Sequence, residues 1–156
     1  MSTNIKIGVF IVDEKDELLM IKEKVKKNNW PRWNIIKGSY GDHGNETIFE
    51  AAKRECLEEA SVDVELVSIT GCYLTGSSED NKIQFNFIGK IISGEPKIAA
   101  LEEQQSREEY ITEVRWFNKN DLALLPKDEF ISEKIFIMIQ DWLKGNDFPL
   151  QTFKQF

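Results

Sequence analysis

The sequence predicts an α/β fold, an α/β/α sandwich, from three patterns: a capped amphipathic helix near the middle, strand-like segments on both sides of it, and a second apolar-striped helix near the end. Residues 5–12 alternate weakly and then run apolar, Glu14-Lys15-Asp16-Glu17 reads as a turn, and residues 18–22 read as the partner strand of a hairpin. Thr47-Ile48-Phe49-Glu50 has the form of a capping box, in which side chains satisfy backbone N–H groups at a helix start. Phe49, Ala52, Cys56 and Ala60 continue it as an apolar stripe, so this helix docks on a core. Strands are expected at residues 64–75 and 82–92, separated by the turn cluster Gly76-Ser77-Ser78-Glu79-Asp80-Asn81. Within the second, Gln84-Phe85-Asn86-Phe87 alternates polar and aromatic, as a sheet with one buried face would. Residues 113–117 read as a further strand and residues 118–125 as a short helix or turn. Residues 128–144 place Phe130, Ile131, Ile135, Met138 and Trp142 at mostly helical spacing, giving a helix that should cover the second face of the sheet. The tail carries Phe148, Phe153 and Phe156, which either pack back on the domain or help form a dimer, so monomer and homodimer both stay open.

Composition bounds the rest. At 156 residues and 41% hydrophobic, the chain is long enough for one well-buried core and too short to need a second domain, so residues 1–156 are expected to form one domain. No apolar run approaches a membrane span, and the first residues lack a secretory pattern, so a cytoplasmic location without a membrane partner is expected. Cys56 lies on the apolar side of the central helix, which favours a buried thiol over a disulfide or zinc site with Cys72. The lone histidine, His43, sits in a glycine-bearing loop and reads as solvent-exposed, with a substrate contact as the alternative.

A net charge of -7 argues against an extended nucleic acid as partner. The charge is unevenly spread: Lys22, Lys24, Lys26, Lys27, Arg32 and Lys37 face one acid, Glu23, within residues 22–37, a local balance of +5. Lys26 and Lys27 read equally as a solvated hairpin; Lys37, beside Gly38, is the better phosphate partner. Residues 101–113 are acidic, with Glu102, Glu103, Glu108, Glu109 and Glu113 against Arg107.

The most constraining segment is Arg54-Glu55-Cys56-Leu57-Glu58-Glu59, with Glu46 eight residues before the arginine. A helix advances about 100° per residue, so Glu55, Glu58 and Glu59 share roughly one third of its circumference. Like charges three and four apart repel, and the helix C-terminus already disfavours negative charge. Such a face is either a solvated acidic surface or a site for a divalent cation with hard oxygen ligands, such as magnesium or manganese.

The flanking residues favour the second. Glu46, Arg54, Glu55, Cys56, Glu58, Glu59 and Val62 fall in register on the pattern G-x5-E-x7-R-E-U-x-E-E-x-G-U, where U is bulky and apolar, and the chain thereby resembles the Nudix (MutT-like) hydrolase family. The likeness is strong over residues 33–62, where Trp33-Asn34-Ile35-Ile36-Lys37-Gly38 resembles the family's strand-to-loop entry. It implies a Nudix-type α/β/α sandwich with a mixed central sheet. Two positions depart. Tyr40 stands where strict spacing puts the first glycine; placing Gly38 there instead requires two extra residues in the following loop, which is the preferred alignment. Ser61 replaces the glycine after the helix, implying modest local strain or a different helix exit.

The resemblance implies a pyrophosphohydrolase: water attacks phosphorus in a nucleoside diphosphate linked to another group, with magnesium, or alternatively manganese, as cofactor. By the same resemblance the metal ligands are Glu55, Glu58, Glu59 and the backbone carbonyl of Gly38, and Arg54 orients the carboxylates. Glu46 stabilises the loop or binds an outer metal. The catalytic set is Arg54, Glu55 and a base that is a signature glutamate or a later one; Glu103 is the later candidate, with Glu102, Glu108 and Glu109 as rivals. Lys37 is expected to bind phosphate, and Trp30 and Arg32 to contact the base, while Trp33 belongs to the core. Nucleoside triphosphates or related small nucleotides rank first as substrate. Dinucleoside polyphosphates rank second, because Lys37-Gly38 resembles the entry of branches that cleave them or messenger caps, and ADP-ribose or a nucleotide sugar ranks third. A non-catalytic nucleotide sensor is the reading from another class; the intact Arg54, Glu55, Glu58 and Glu59 argue against it.

Overall fold

Alternation along one long strand sets the layering. Strand β1 (Ser2–Val12) sends Ile7, Val9 and Ile11 into one apolar cluster and Phe10 and Val12 into another, and all five are buried. Both faces of the sheet are therefore covered, as a sandwich requires. The computed structural model describes residues 2–26 and 28–156, so Lys27 of the basic run lies outside the described residues.

The hairpin forms as expected: β1 pairs antiparallel with β2 (Leu18–Glu23), Ile11 opposite Leu19, and Asp16 in the connecting turn takes a left-handed φ of 64°. Next come β3 (Arg32–Asn34), β4 (Ile36–Ser39), helix α1 (Ile48–Ala60), and the long antiparallel pair β5 (Asp63–Gly76) and β6 (Asp80–Ser93). Helix α2 (Leu101–Ser106), β7 (Ile111–Phe117), α3 (Lys119–Leu124), α4 (Glu133–Leu143) and β8 (Phe148–Pro149) complete the order. The sheet runs β3-β2-β1-β6-β5-β8, with β4 also on β1 and β7 also on β2. Strands β1 and β6 are parallel and their neighbours antiparallel, so the sheet is mixed.

Helix α1 covers the first face through Ile48, Ala51, Ala52, Cys56 and Ala60. Helices α3 and α4 cover the second through Leu122, Ile135, Met138, Ile139 and Trp142. The capping box is present, with Thr47 Oγ1 accepting from Glu50 N and Glu50 Oε2 accepting from Thr47 N. Cys56 is a buried free thiol. Of the two expectations at Ser61, local strain is what occurs: φ is 60° and ψ 30°, a left-handed conformation that costs a residue with a Cβ about 1–2 kcal/mol.

Two expectations change. The strand around Gln84 does not have one solvated face: Gln84 and Asn86 are both buried beneath α4, with Gln84 Nε2 donating to Asn86 Oδ1 at 2.8 Å. Gly8 makes room for them, since a Cβ there would fall 2.3 Å from Asn86 Oδ1. The last helix starts at Glu133 rather than near residue 128, because Ile131 N donates to Trp33 O and the Ser132 hydroxyl accepts from Ile135 N as N-cap. Phe130 and Ile131 thus reach the second cluster from extended backbone. Residues 101–106, within the acidic stretch, form α2.

The tail packs back through Phe153, edge-on to Phe49 and Phe85 at 5.6 and 4.9 Å between ring centroids, while Phe148 and Phe156 stay exposed. Gln155 extends this contact: its Oε1 accepts from Ile48 N, a free donor at the start of α1, and its Nε2 donates to Tyr40 Oη. Among the described residues no helix is long and apolar enough to cross a membrane.

Candidate active site

The β1–β4 register puts Gly38 opposite Ile7 and Lys37 opposite Gly8, so neighbouring residues of β4 serve opposite faces. Gly38 faces α1, and a Cβ built there would lie 1.9 Å from Glu55 Cδ. The Glu55 carboxylate occupies the space that a side chain would take, which supports matching Gly38 to the signature glycine. The extra residues fall in the exposed loop of residues 41–45, where Gly41 and Gly44 hold positive φ and His43 is exposed. Replacing Gly38 by alanine should therefore expel the Glu55 carboxylate, costing roughly 100-fold in turnover. The melting temperature should fall only slightly, because the displaced atoms end a flexible side chain; steady-state kinetics and a thermal melt check both.

Glu59 is one helical turn on, 5% exposed, and its Oε2 accepts from Lys37 N at 3.0 Å, tying α1 to β4. Burial, aided by the charges of Glu23 and Glu55, pushes its carboxyl well above the usual carboxylate range. Burial likewise raises Glu55 to about 7, against the opposing pull of Arg54. Arg54 is the counter-charge of this cluster. Its Nε and Nη2 form a two-bond fork to Glu46 at 3.0 and 2.9 Å, and Nη2 also donates to Ser39 O. Its Nη1 donates to Glu55 Oε1 at 2.7 Å and Glu58 Oε2 at 3.3 Å. The fork holds Glu46 below the usual carboxylate range, so Glu46 anchors the loop through Arg54.

Among the described residues no three acidic, histidine or cysteine side chains already form a group that could hold a metal ion. Arg54 Nη1 draws one oxygen of Glu55 and one of Glu58 toward the guanidinium. The donor set still fits a hard divalent cation, being all carboxylate and carbonyl oxygen, with two acids held in a site that penalises their uncompensated charge.

Of the glutamates after β6, Glu109 shares a hollow with Glu23, and its charge bears on Glu55 and Glu59. Glu103 is exposed on α2 and borders a separate hollow of about 410 Å³ with Glu58, Lys97 and Arg107. The charge of Glu109 also acts on Glu23, and its Oε2 is buried without a partner. No periodic signal marks it, because a left-handed Glu108, φ 55°, decides which of two adjacent glutamates turns inward.

Lys37 lines a hollow of about 330 Å³ with Lys6, Glu23, Asn34, Gly38 and Glu59. Burial, and then Lys6, lower its pKa. Glu23 and Asn34 were not anticipated: Asn34 Nδ2 donates to Glu23 Oε1 at 2.7 Å while Asn34 Oδ1 is buried and unpartnered. Burial raises the Glu23 carboxyl. Trp30 is exposed and stacked with Arg32 at 4.8 Å, and neither residue lines this hollow. Trp33 is core, edge-on to Phe117.

These features define a Nudix fold with its signature helix in place, and the NUDIX domain family model matches residues 3–137. The chain belongs to the Nudix family, whose members generally use divalent cations. It is 27% identical over 122 residues to the 8-oxo-dGDP phosphatase NUDT18 of Danio rerio, covering 78% of this chain and 34% of that protein, so it spans about a third of the relative's length. A NUDIX hydrolase from Nitrosomonas europaea superposes with a TM-score of 0.77 at 20% identity, over 99% of this chain and 98% of that one. The MutT NUDIX hydrolase from Burkholderia pseudomallei gives 0.68 at 18% identity, over 90% and 98%. These structures share the fold.

Proposed function

We propose that the protein is a magnesium-dependent hydrolase, with manganese as the alternative ion, that cleaves a phosphoanhydride bond in nucleoside triphosphates or related small nucleotides. The observation that carries this is the pair Glu55 and Glu59, buried one helical turn apart with Glu55 over the bare backbone of Gly38, at an energetic cost that a bound cation would offset. Glu55, Glu58, Glu59 and the Gly38 carbonyl would hold the ion, which when bound neutralises phosphate oxygens and lowers the pKa of water. Arg54 orients Glu55 and Glu58, and Lys37 with Lys6 binds phosphate oxygens in the adjoining hollow. Glu109, whose Oε2 is buried and unpartnered, accepts the proton of the attacking water. The relative named for 8-oxo-dGDP supports including nucleoside diphosphates in the substrate class.

Dinucleoside polyphosphates are the second reading. A further hollow of about 440 Å³, lined by Lys24, Lys26, Glu109 and Tyr110, adjoins the first at Glu23 and Val25, so there is room for groups on two sides. ADP-ribose and nucleotide sugars rank third. The products of dGTP, 8-oxo-dGDP, diadenosine tetraphosphate and ADP-ribose should be separated by chromatography, with magnesium and with chelator: the mononucleotides release pyrophosphate or phosphate, the tetraphosphate splits into two nucleotides, and ADP-ribose gives AMP and ribose 5-phosphate. Magnesium-dependent release from the mononucleotides is expected. Faster cleavage of the tetraphosphate would move the assignment to the second reading, and thermal-shift binding without turnover of any of them would leave a sensor.

A further inference from the structure

We infer that Arg107 is a positioning residue for hydrolysis, holding Glu109 toward the carboxylate cluster from a seat on the end of α1. The inference rests on the reading of Glu109 as proton acceptor. Helix α1 ends with Glu58 and Glu59 and has no basic residue in its last turn, although the last carbonyls of a helix attract cations. Arg107 supplies that cation from another segment: Nη2 donates to Glu58 O at 2.9 Å, and Nε donates to Glu109 Oε1 at 3.0 Å. One planar group thus touches the signature helix and the late-loop acid together, a geometry that a lysine ammonium does not reproduce.

The surrounding segment is built to deliver this contact. Gln104, 5% exposed, donates through Nε2 to Ala99 O and accepts at Oε1 from Ile111 N, pinning both ends of the turn. Glu109 N donates to Gln104 O at 2.8 Å, and Glu108 takes the left-handed conformation that reverses the chain. With Oε1 engaged by Arg107, the carboxylate plane is fixed and Oε2 is left buried and free. A buried carboxylate oxygen without a donor is unfavourable unless a ligand or water meets it. Arg107 also lines the hollow shared by Glu58 and Glu103, so coupling to Glu109 has to be separated from an effect through Glu58.

The test is a double-mutant cycle with Arg107→Ala, Arg107→Lys and Glu109→Gln, read as kcat and KM on the fastest-cleaved of the four nucleotides above, with thermal melts. Arg107→Ala and Glu109→Gln should each lower kcat about 10–100-fold with KM changed less than about 3-fold, and the double variant should be no slower than Glu109→Gln. Arg107→Lys, which keeps a cation near the helix end and so protects the fold should alanine not, should recover little of kcat. If Glu109→Gln lowers kcat while folded Arg107→Ala or Arg107→Lys matches the parent, the positioning role is overturned and the base assignment stands. Losses that multiply in the double variant would make Arg107 a brace for α1 alone, which also overturns it. An unchanged kcat in Glu109→Gln would remove the base assignment itself.

Discussion

Glu59→Gln should lower turnover roughly 100-fold or more while raising the melting temperature of the chelator-treated protein. Both halves have one cause. The side chain is buried at 5% exposure, and its carboxyl is held well above the usual range by burial and by neighbouring acids, so the metal-free fold carries an unfavourable group. Glutamine has the same shape and still accepts from Lys37 N through its amide oxygen, so the tie to β4 survives. Removing the charge should stabilise the metal-free protein by about 1–2 kcal/mol, or ~2–8 °C for a chain of this size. The variant should also show weaker thermal stabilisation by magnesium than the parent. A variant that melts below the parent in chelator would refute the account of why α1 carries these glutamates, even if its activity were lost.

The second large effect is an inverted dependence of stability on pH. In chelator, stability should fall as pH rises from about 5 to 8, where many proteins are near their maximum. Glu55 is raised to about 7, and Glu59 and Glu23 are also raised, so across this window the folded chain binds more protons than the unfolded one. Stability rises with pH only where the unfolded state binds more protons, so its slope here is negative. Glu46 and Glu50 act oppositely, but their contribution is complete above the ordinary carboxylate range and is lost only in more acidic solution. For Glu55 alone, a move from 4.5 to about 7 corresponds to ~3 kcal/mol of stability lost by pH 8. Magnesium, which binds the ionised carboxylates, should restore stability at pH 8 and do little at pH 5. Urea melts at both pH values, with chelator and with magnesium, measure this; a flat or rising profile in chelator would sink it.

The contrast between Glu55 and Glu109 shows how far reading the chain could reach. Glu55, Glu58 and Glu59 lie on one helix of fixed period, started by Thr47 and Glu50, so their shared face follows from spacing alone. Gly38 was legible through the alignment with two extra loop residues, and the structure adds the reason for a bare backbone: the Glu55 carboxylate takes that space. Glu103 and Glu109 could not be told apart in the same way. They lie in a segment without a period, where one left-handed residue, a buried amide at Gln104 and a guanidinium from Arg107 decide which acid faces inward. The same limit hid Gln84 and Asn86, whose polar character implied water until α4 was found above them. It hid the role of Gln155 as well, since a contact across 107 positions with Ile48 leaves no local trace.

What the sequence by itself determined was the α/β class, the hairpin, the capped helix with its carboxylate face and, through the motif, the family. Each of these rests on interactions within a few residues, where helical and strand periods are rigid rulers. The tertiary structure decided the rest: that Glu55 and Glu59 are buried enough to disfavour their charge, that Arg54 bridges Glu55 and Glu58, and that the charge of Glu109 bears on Glu55 and Glu59. Burial, desolvation and pairing between distant segments depend on how the layers close over one another, and that packing has no counterpart in local spacing.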